Sequence, residues 1–277
     1  MNNEEYIQRH REEDVRQLAL QKAIDGVNQK WCLQQIEGWQ QARRKLPQWA
    51  ATEGLWFPPK LSMEQCSSEA TAMYKRSVAE RLIKEDERQS MADLTGGLGV
   101  DFSYLAPLFL HGTYVELQPQ LVELARHNMP LLGLPNVEIT TSDNFTLLDS
   151  HFSLLFLDPS RRDFAGRKTV SIEDCTPNVL DKQDELLQHS SWLIVKFSPM
   201  LDIREALRKL KNVREVHVVS VGGECKELLF VMKGCLESAV VERPSTTPRI
   251  PVWETEDVVI HCVNLGTDED EIIPTPV

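Results

Sequence analysis

No stretch of the 277-residue chain comes near the ~20 consecutive apolar residues that a membrane-spanning helix requires. The opening residues, Met1 to Arg16, carry too much charge for a secretory signal. Cysteines number only six (Cys32, Cys66, Cys175, Cys225, Cys235 and Cys262), with no Cys-x-x-Cys and no histidine at ligand spacing. Neither a cysteine-based zinc site nor a disulfide framework is expected, and no metal. Basic charge is scarce where it would matter for nucleic acid. Residues 1–90 hold 14 Lys+Arg against 14 Asp+Glu, leaving 16 against 28 for residues 91–277 and hence the whole net charge of −12. Unaided capture of a polyanion is therefore not expected from the global balance, although a local basic face is compatible with it. The chain is expected to be cytoplasmic and reduced, with no membrane partner.

What is present is the composition of a folded chain, 42% hydrophobic and 26% charged. Glu4 to Ile24 contains no Gly or Pro and is rich in Glu, Arg, Gln, Leu and Ala, which predicts a helix. A second is predicted over Trp31 to Lys45. After Pro58-Pro59 has broken the chain, a third is predicted from Ser62, where Ser62 and Gln65 stand at capping-box spacing, to about Lys84. From Met91 short apolar runs alternate with helical segments. Strands are predicted at 91–95, 112–117, 137–141, 153–158, 192–197, 213–221 and 226–233, and crossover helices at 99–110, 118–129, 143–149, 176–189 and 203–210. Alternation of this kind builds a parallel sheet with right-handed crossovers. Only Gly222 to Cys225 joins the last two strands, too short a link for a crossover, so these two form an antiparallel hairpin.

The resulting α/β architecture is a Rossmann-like sheet of seven strands with the last hairpin antiparallel. It has the strand order of class I S-adenosylmethionine (SAM) methyltransferases and differs from the fully parallel dinucleotide fold. Three parts follow: a helical region over 1–89, a sheet domain over 90–235, and a tail or linker over 236–277. The last part holds five of the 15 prolines, and residues 254–277 contain seven acids and no Lys or Arg. Residues 258–263 within it could still form an edge strand.

The strongest local signal is Asp93-Leu94-Thr95-Gly96-Gly97-Leu98-Gly99-Val100-Asp101, a glycine loop between a strand and a helix. Glycines let backbone approach a ligand closely, and the helix start favours negative groups. A dinucleotide fingerprint would need a third glycine, but Gly97-x-Gly99 is followed by Val100, Asp101 and Phe102. An early Asp suits a ligand bearing an ammonium group and a sulfonium better than a diphosphate. Glu116 ends the second strand, where a carboxylate can accept both ribose hydroxyls of an adenosine. Asp143-Asn144 follows the third strand, placed either to meet an adenine or to cap a helix. The fourth strand ends in Asp158-Pro159-Ser160-Arg161-Arg162-Asp163. A carboxylate and a carbonyl there can accept the hydrogens of an attacking amine and aim its lone pair, while Arg161 can hold a phosphate. Ser68, ahead of the first strand, either reaches the methionine carboxylate of SAM or caps a helix. Lys196 ends the fifth strand and so lines the same edge, either with a task there or simply solvated, and the Glu224-Cys225-Lys226-Glu227 turn is read as hairpin structure.

PPKLSMEQCSSEATAMYK, DLTGGLGVD, DPSRRD, KFSPMLD and GECKELL occur in that order between about Leu46 and Lys233. In these motifs the chain resembles the bacterial THUMP-like-domain class I SAM-dependent methyltransferases. The resemblance implies SAM as cofactor, RNA as substrate and a base nitrogen as methyl acceptor. It places Asp93, Thr95, Gly97 and Gly99 on the SAM loop, Glu116 on the ribose, Asp143 on the adenine, and Asp158-Pro159 at the active-site strand end. Gly96, Asp101, Asn144 and Ser68 complete the expected cofactor set, and Arg161 joins Asp158 and Pro159 in the catalytic set. The family's downstream RNA-binding module does not follow before Val277, so RNA contact is expected mainly from that missing module. Exocyclic-amine methyltransferases usually read Asp-Pro-Pro-aromatic; here Ser160-Arg161 takes the last two places. Two other readings remain, an NAD-dependent oxidoreductase and a non-catalytic SAM-binding or scaffold module.

Overall fold

The computed structural model describes residues 1–141, 145, 150–160, 171–235 and 258–266. The N-terminal region holds α1 (Asn3–His10), α2 (Val15–Ala19), α3 (Gln29–Lys45), α4 (Pro47–Ala51), α5 (Lys60–Gln65) and α6 (Glu69–Leu82). There follow β1 (Ser90–Asp93), α7 (Val100–Leu105), β2 (His111–Val115), α8 (Pro119–Leu131), β3 (Glu138–Thr140) and β4 (Phe152–Leu157). The last elements are α9 (Val179–Gln188), β5 (Ser190–Phe197), α10 (Ile203–Lys209), β6 (Val213–Val221), β7 (Glu224–Lys233) and β8 (Val259–Leu265). Among the described residues the sheet is mixed, has eight strands, and is parallel apart from the β7 pairings. Two compact units divide the chain: residues 1–78 with 96–142, and residues 79–95 with 143–277.

Within the first unit, β2 and β3 pair in parallel, Tyr114 opposite Ile139. Among the described residues two apolar clusters pack these helices. Tyr6, Leu18, Cys32 and Ile36 tie α1 and α2 to α3. Leu46, Trp49, Phe57, Met63 and Leu124 belong to a larger cluster around α4, α5 and α8. Each such side chain removed from water contributes about 1.5–3 kcal/mol. Buried Asn128 on α8 fastens the proline-bearing segment in both directions: its Oδ1 accepts the Trp56 amide at 2.9 Å and its Nδ2 donates to the Trp56 carbonyl at 2.8 Å.

The second unit contains strands in the order β1-β4-β5-β7-β6-β8. All six residues of β4 are buried, as in a parallel strand covered on both faces. Gly222 and Gly223 both adopt positive φ, 57° and 81°, the geometry that a two-residue hairpin between β6 and β7 demands.

Three expectations are corrected. The stretch Glu4–Ile24 is two helices, because the Asp14 carboxylate accepts the amides of Arg16 and Gln17 and starts α2 afresh. Ser62 lies inside α5 and caps nothing; the chain breaks after Gln65 and α6 begins at Glu69. The strand total among the described residues is eight rather than seven, since the edge strand that 258–263 could form is present as Val259–Leu265, paired in parallel with β6 along its whole length. The crossover segment expected over 143–149 falls outside the described residues except for Phe145.

Candidate functional site

In the first unit the glycine loop closes onto the end of β2. The Gly96 amide donates to the Val115 carbonyl at 2.8 Å, and the Gly99 amide donates to the Gly96 carbonyl at 2.7 Å. Gly97 and Gly99 have φ of 55° and 84°, left-handed conformations that glycine adopts without penalty. Gly96 is required on other grounds. A Cβ there would stand 2.2 Å from the Tyr114 ring, whose hydroxyl in turn donates to the Gly97 carbonyl.

Glu116 is the centre of this arrangement. Its Oε2 accepts the Gly97 amide and its Oε1 accepts the Gln118 amide, both at 2.8 Å. The residue is 8% exposed, and among the described residues no cation pairs with it. A buried carboxylate without a counter-ion is costly, and here two backbone dipoles hold it in one orientation. Each oxygen keeps a second acceptor position. An acceptor-only group of this kind suits a pair of O–H donors, as a ribose diol provides, so the residues fit an adenosine-bearing ligand.

Asp101 takes a different place. Lys75, completely buried, lies 3.0 Å from its Oδ1, and the Ser67 hydroxyl donates to its Oδ2 at 2.7 Å. Lys75 also reaches the Ser67 hydroxyl at 3.1 Å. The ion pair fastens the start of α7 to α6, an internal bond that spacing could not show. Ser68 accepts the Thr71 amide at 3.3 Å through its hydroxyl, the capping alternative of its two expected roles.

The second unit carries the strand-end residues. Asp93, at the end of β1, accepts the Thr95 amide at 2.9 Å, and the Thr95 hydroxyl accepts the Asp158 amide at 2.6 Å. Asp158 therefore leaves β4 at a fixed height, with Pro159 next in the chain. Its Oδ2 pairs with Lys196 at the end of β5. Of the two readings open for Lys196 at this edge, the solvated one gives way: its partner lies on the neighbouring strand, where Phe156 faces Ile194 in the register. Asp143, Asn144 and Arg161 lie outside the described residues.

No family model matches the chain. Two curated proteins, from two strains of Mycobacterium tuberculosis and both described as an uncharacterized S-adenosylmethionine-dependent methyltransferase, are 23% identical to it over 191 residues. The match covers 69% of this chain and 49% of theirs, so the chain spans about half the length of these relatives. A crystal structure from Porphyromonas gingivalis W83, assigned by name only as a methyltransferase, is 33% identical with a TM-score of 0.76, covering 99% of this chain and 63% of that one. A second, from Listeria monocytogenes and named for a class I S-adenosylmethionine-dependent methyltransferase, shares the fold at a TM-score of 0.51 and 10% identity, covering 72% and 65%. The fold is thus the α/β fold of class I methyltransferases. The chain has homologues among proteins described as SAM-dependent, and it is similar over nearly its whole length to the Porphyromonas protein.

Proposed function

We propose that this chain is a SAM-dependent methyltransferase whose substrate is RNA, methylated at a base nitrogen. The observation that carries the cofactor is Glu116, buried, without a cation among the described residues, and oriented by the Gly97 and Gln118 amides. SAM supplies an electrophilic methyl group on a sulfonium. The chain's own residues then have limited tasks. Glu116 accepts the two ribose hydroxyls. The glycine loop brings backbone close to the ligand. Asp158 and the Pro159 carbonyl accept the hydrogens of an attacking amine and aim its lone pair, which supplies much of the rate through alignment. Lys196 pairs with Asp158 and holds its direction.

The RNA assignment rests on the ordered motifs shared with the THUMP-like-domain methyltransferases, to which we propose the chain is related. It rests also on Arg161-Arg162 beside the strand end, two cations in sequence suited to a phosphate. Asp143 and Asn144 serve the adenine in the same reading. The test is transfer of labelled methyl from SAM to unmodified cellular RNA, followed by nucleoside mass spectrometry. Wild-type protein should yield one methylated base, and Asp158→Ala none. Binding of SAM with no transfer to any RNA would favour another acceptor or a non-catalytic module.

A further inference from the structure

At the edge of the sheet away from β1, residues from β6 and β8 form a cluster that methyl transfer does not use. The parallel register sets His217 directly opposite His261, and Glu215 lies two residues earlier on the same face of β6. The imidazole rings stack with centroids 4.5 Å apart and planes 16° apart. Their Nε2 atoms approach one carboxylate oxygen: His217 Nε2 is 2.9 Å and His261 Nε2 is 3.6 Å from Glu215 Oε2. One ligand atom from each of the three residues lies within 4.8 Å of the others.

His261 Nε2 is shut off from solvent and has no hydrogen-bond partner among the described residues. The His217 Nε2–H donates to Glu215 Oε2, so a cation bound here would take that proton's place between imidazole and carboxylate, with the shielded His261 nitrogen beside it. We infer that Glu215, His217 and His261 bind a first-row divalent cation of the zinc class, with water in the remaining positions. Two imidazoles and one carboxylate match the preferences of zinc and its neighbours rather than those of calcium or magnesium. Arg81 donates to Glu215 Oε1 at 2.9 Å and also to Oε2, the oxygen that both imidazoles approach. Its positive charge also lowers the affinity. Because the ligands come from two strands far apart in sequence, the cation would clasp β8 to β6 and stabilise the folded state by mass action.

The experiment uses the untagged full chain, freed of metal with chelator and kept reduced, and titrates it with zinc and with cobalt. One equivalent should bind with a Kd on the order of micromolar or tighter and raise the melting temperature. His261→Ala, at the outer side of the cluster, and Glu215→Gln should each weaken binding about tenfold or more. Metal-free melts of both variants check that they fold. Arg81→Gln should tighten binding. Three results would overturn the assignment: no saturation at about millimolar metal, an affinity unchanged by His261→Ala, or a thiolate charge-transfer band in the cobalt spectrum, which would move the metal to cysteine.

Discussion

The Gly97 amide and the Glu116 carboxylate meet at 2.8 Å, joining the bend of the glycine loop to the end of β2. The acid is thereby positioned before any ligand arrives, and its free lone pairs face outward from two backbone donors. Replacing it with Ala removes a charged acceptor and strands both amides. SAM affinity should fall by about 1–3 kcal/mol, measured calorimetrically. Undiminished affinity would remove Glu116 from the site.

Gly96 and Gly133 separate steric need from conformational need. At Gly96 a methyl would overlap the buried Tyr114 ring, whereas at Gly133, with φ of 83°, nothing lies within 4 Å. Gly96→Ala should cost about 1–3 kcal/mol through overpacking and also weaken SAM binding. Gly133→Ala should cost only the left-handed backbone penalty of about 1–2 kcal/mol and leave binding intact. Urea unfolding read beside calorimetry tells the two apart.

The Lys75–Asp101 pair is an internal bond, so breaking one half leaves a buried charge. Lys75→Met should destabilise the protein by about 3–5 kcal/mol, and Lys75→Met combined with Asp101→Leu should recover much of that loss. If the double variant is as unstable as the single one, the pair holds more than its partner's charge.

Asp158 and Lys196 should act as a unit in turnover. Asp158→Asn and Lys196→Met are each expected to lower kcat about a hundredfold or more, with the SAM Kd unchanged. The double variant should be no worse than Asp158→Asn alone, because groups acting together lose their function once. Additive losses would separate their roles.

Acid should loosen the sheet edge at Glu215. Burial pushes its carboxyl up, but the hydrogen bonds from His217 and Arg81 together with the Arg81 charge outweigh this and hold it at about 2. The folded value lies below the ordinary 4.5, so the folded state binds fewer protons. The stabilisation is complete above about pH 4.5 and is lost as pH falls toward 2. His217 adds to the trend from higher pH, since burial lowers its own pKa and holds the ring neutral. Unfolding free energies measured in chelator between pH 7 and 3 should drop, and Arg81→Met should flatten the acid end of that drop.

Strand positions followed from the apolar runs because burial on both faces writes itself into composition, as in Phe152–Leu157. The hairpin followed from Gly222-Gly223, since only a tight turn fits so short a link. β8 was offered as an edge strand by the apolar run at 258–263 but stayed outside the strand total, because the surrounding prolines and acids read as a tail and the sequence does not show which strand it pairs with. The break between α1 and α2 escaped because propensity is averaged along a segment, while Asp14 ends and restarts a helix through two hydrogen bonds.

Local geometry was legible wherever neighbours in sequence make the feature: the bend of the glycine loop, Glu116 at the end of β2, and Asp158-Pro159 at the end of β4. Pairings across the fold were decided by tertiary structure alone. Lys75 with Asp101, Lys196 with Asp158, and His217 with His261 are brought together by helix docking and strand register. A sequence states which groups a chain owns. Which lone pair faces which proton depends on packing between segments that composition does not order.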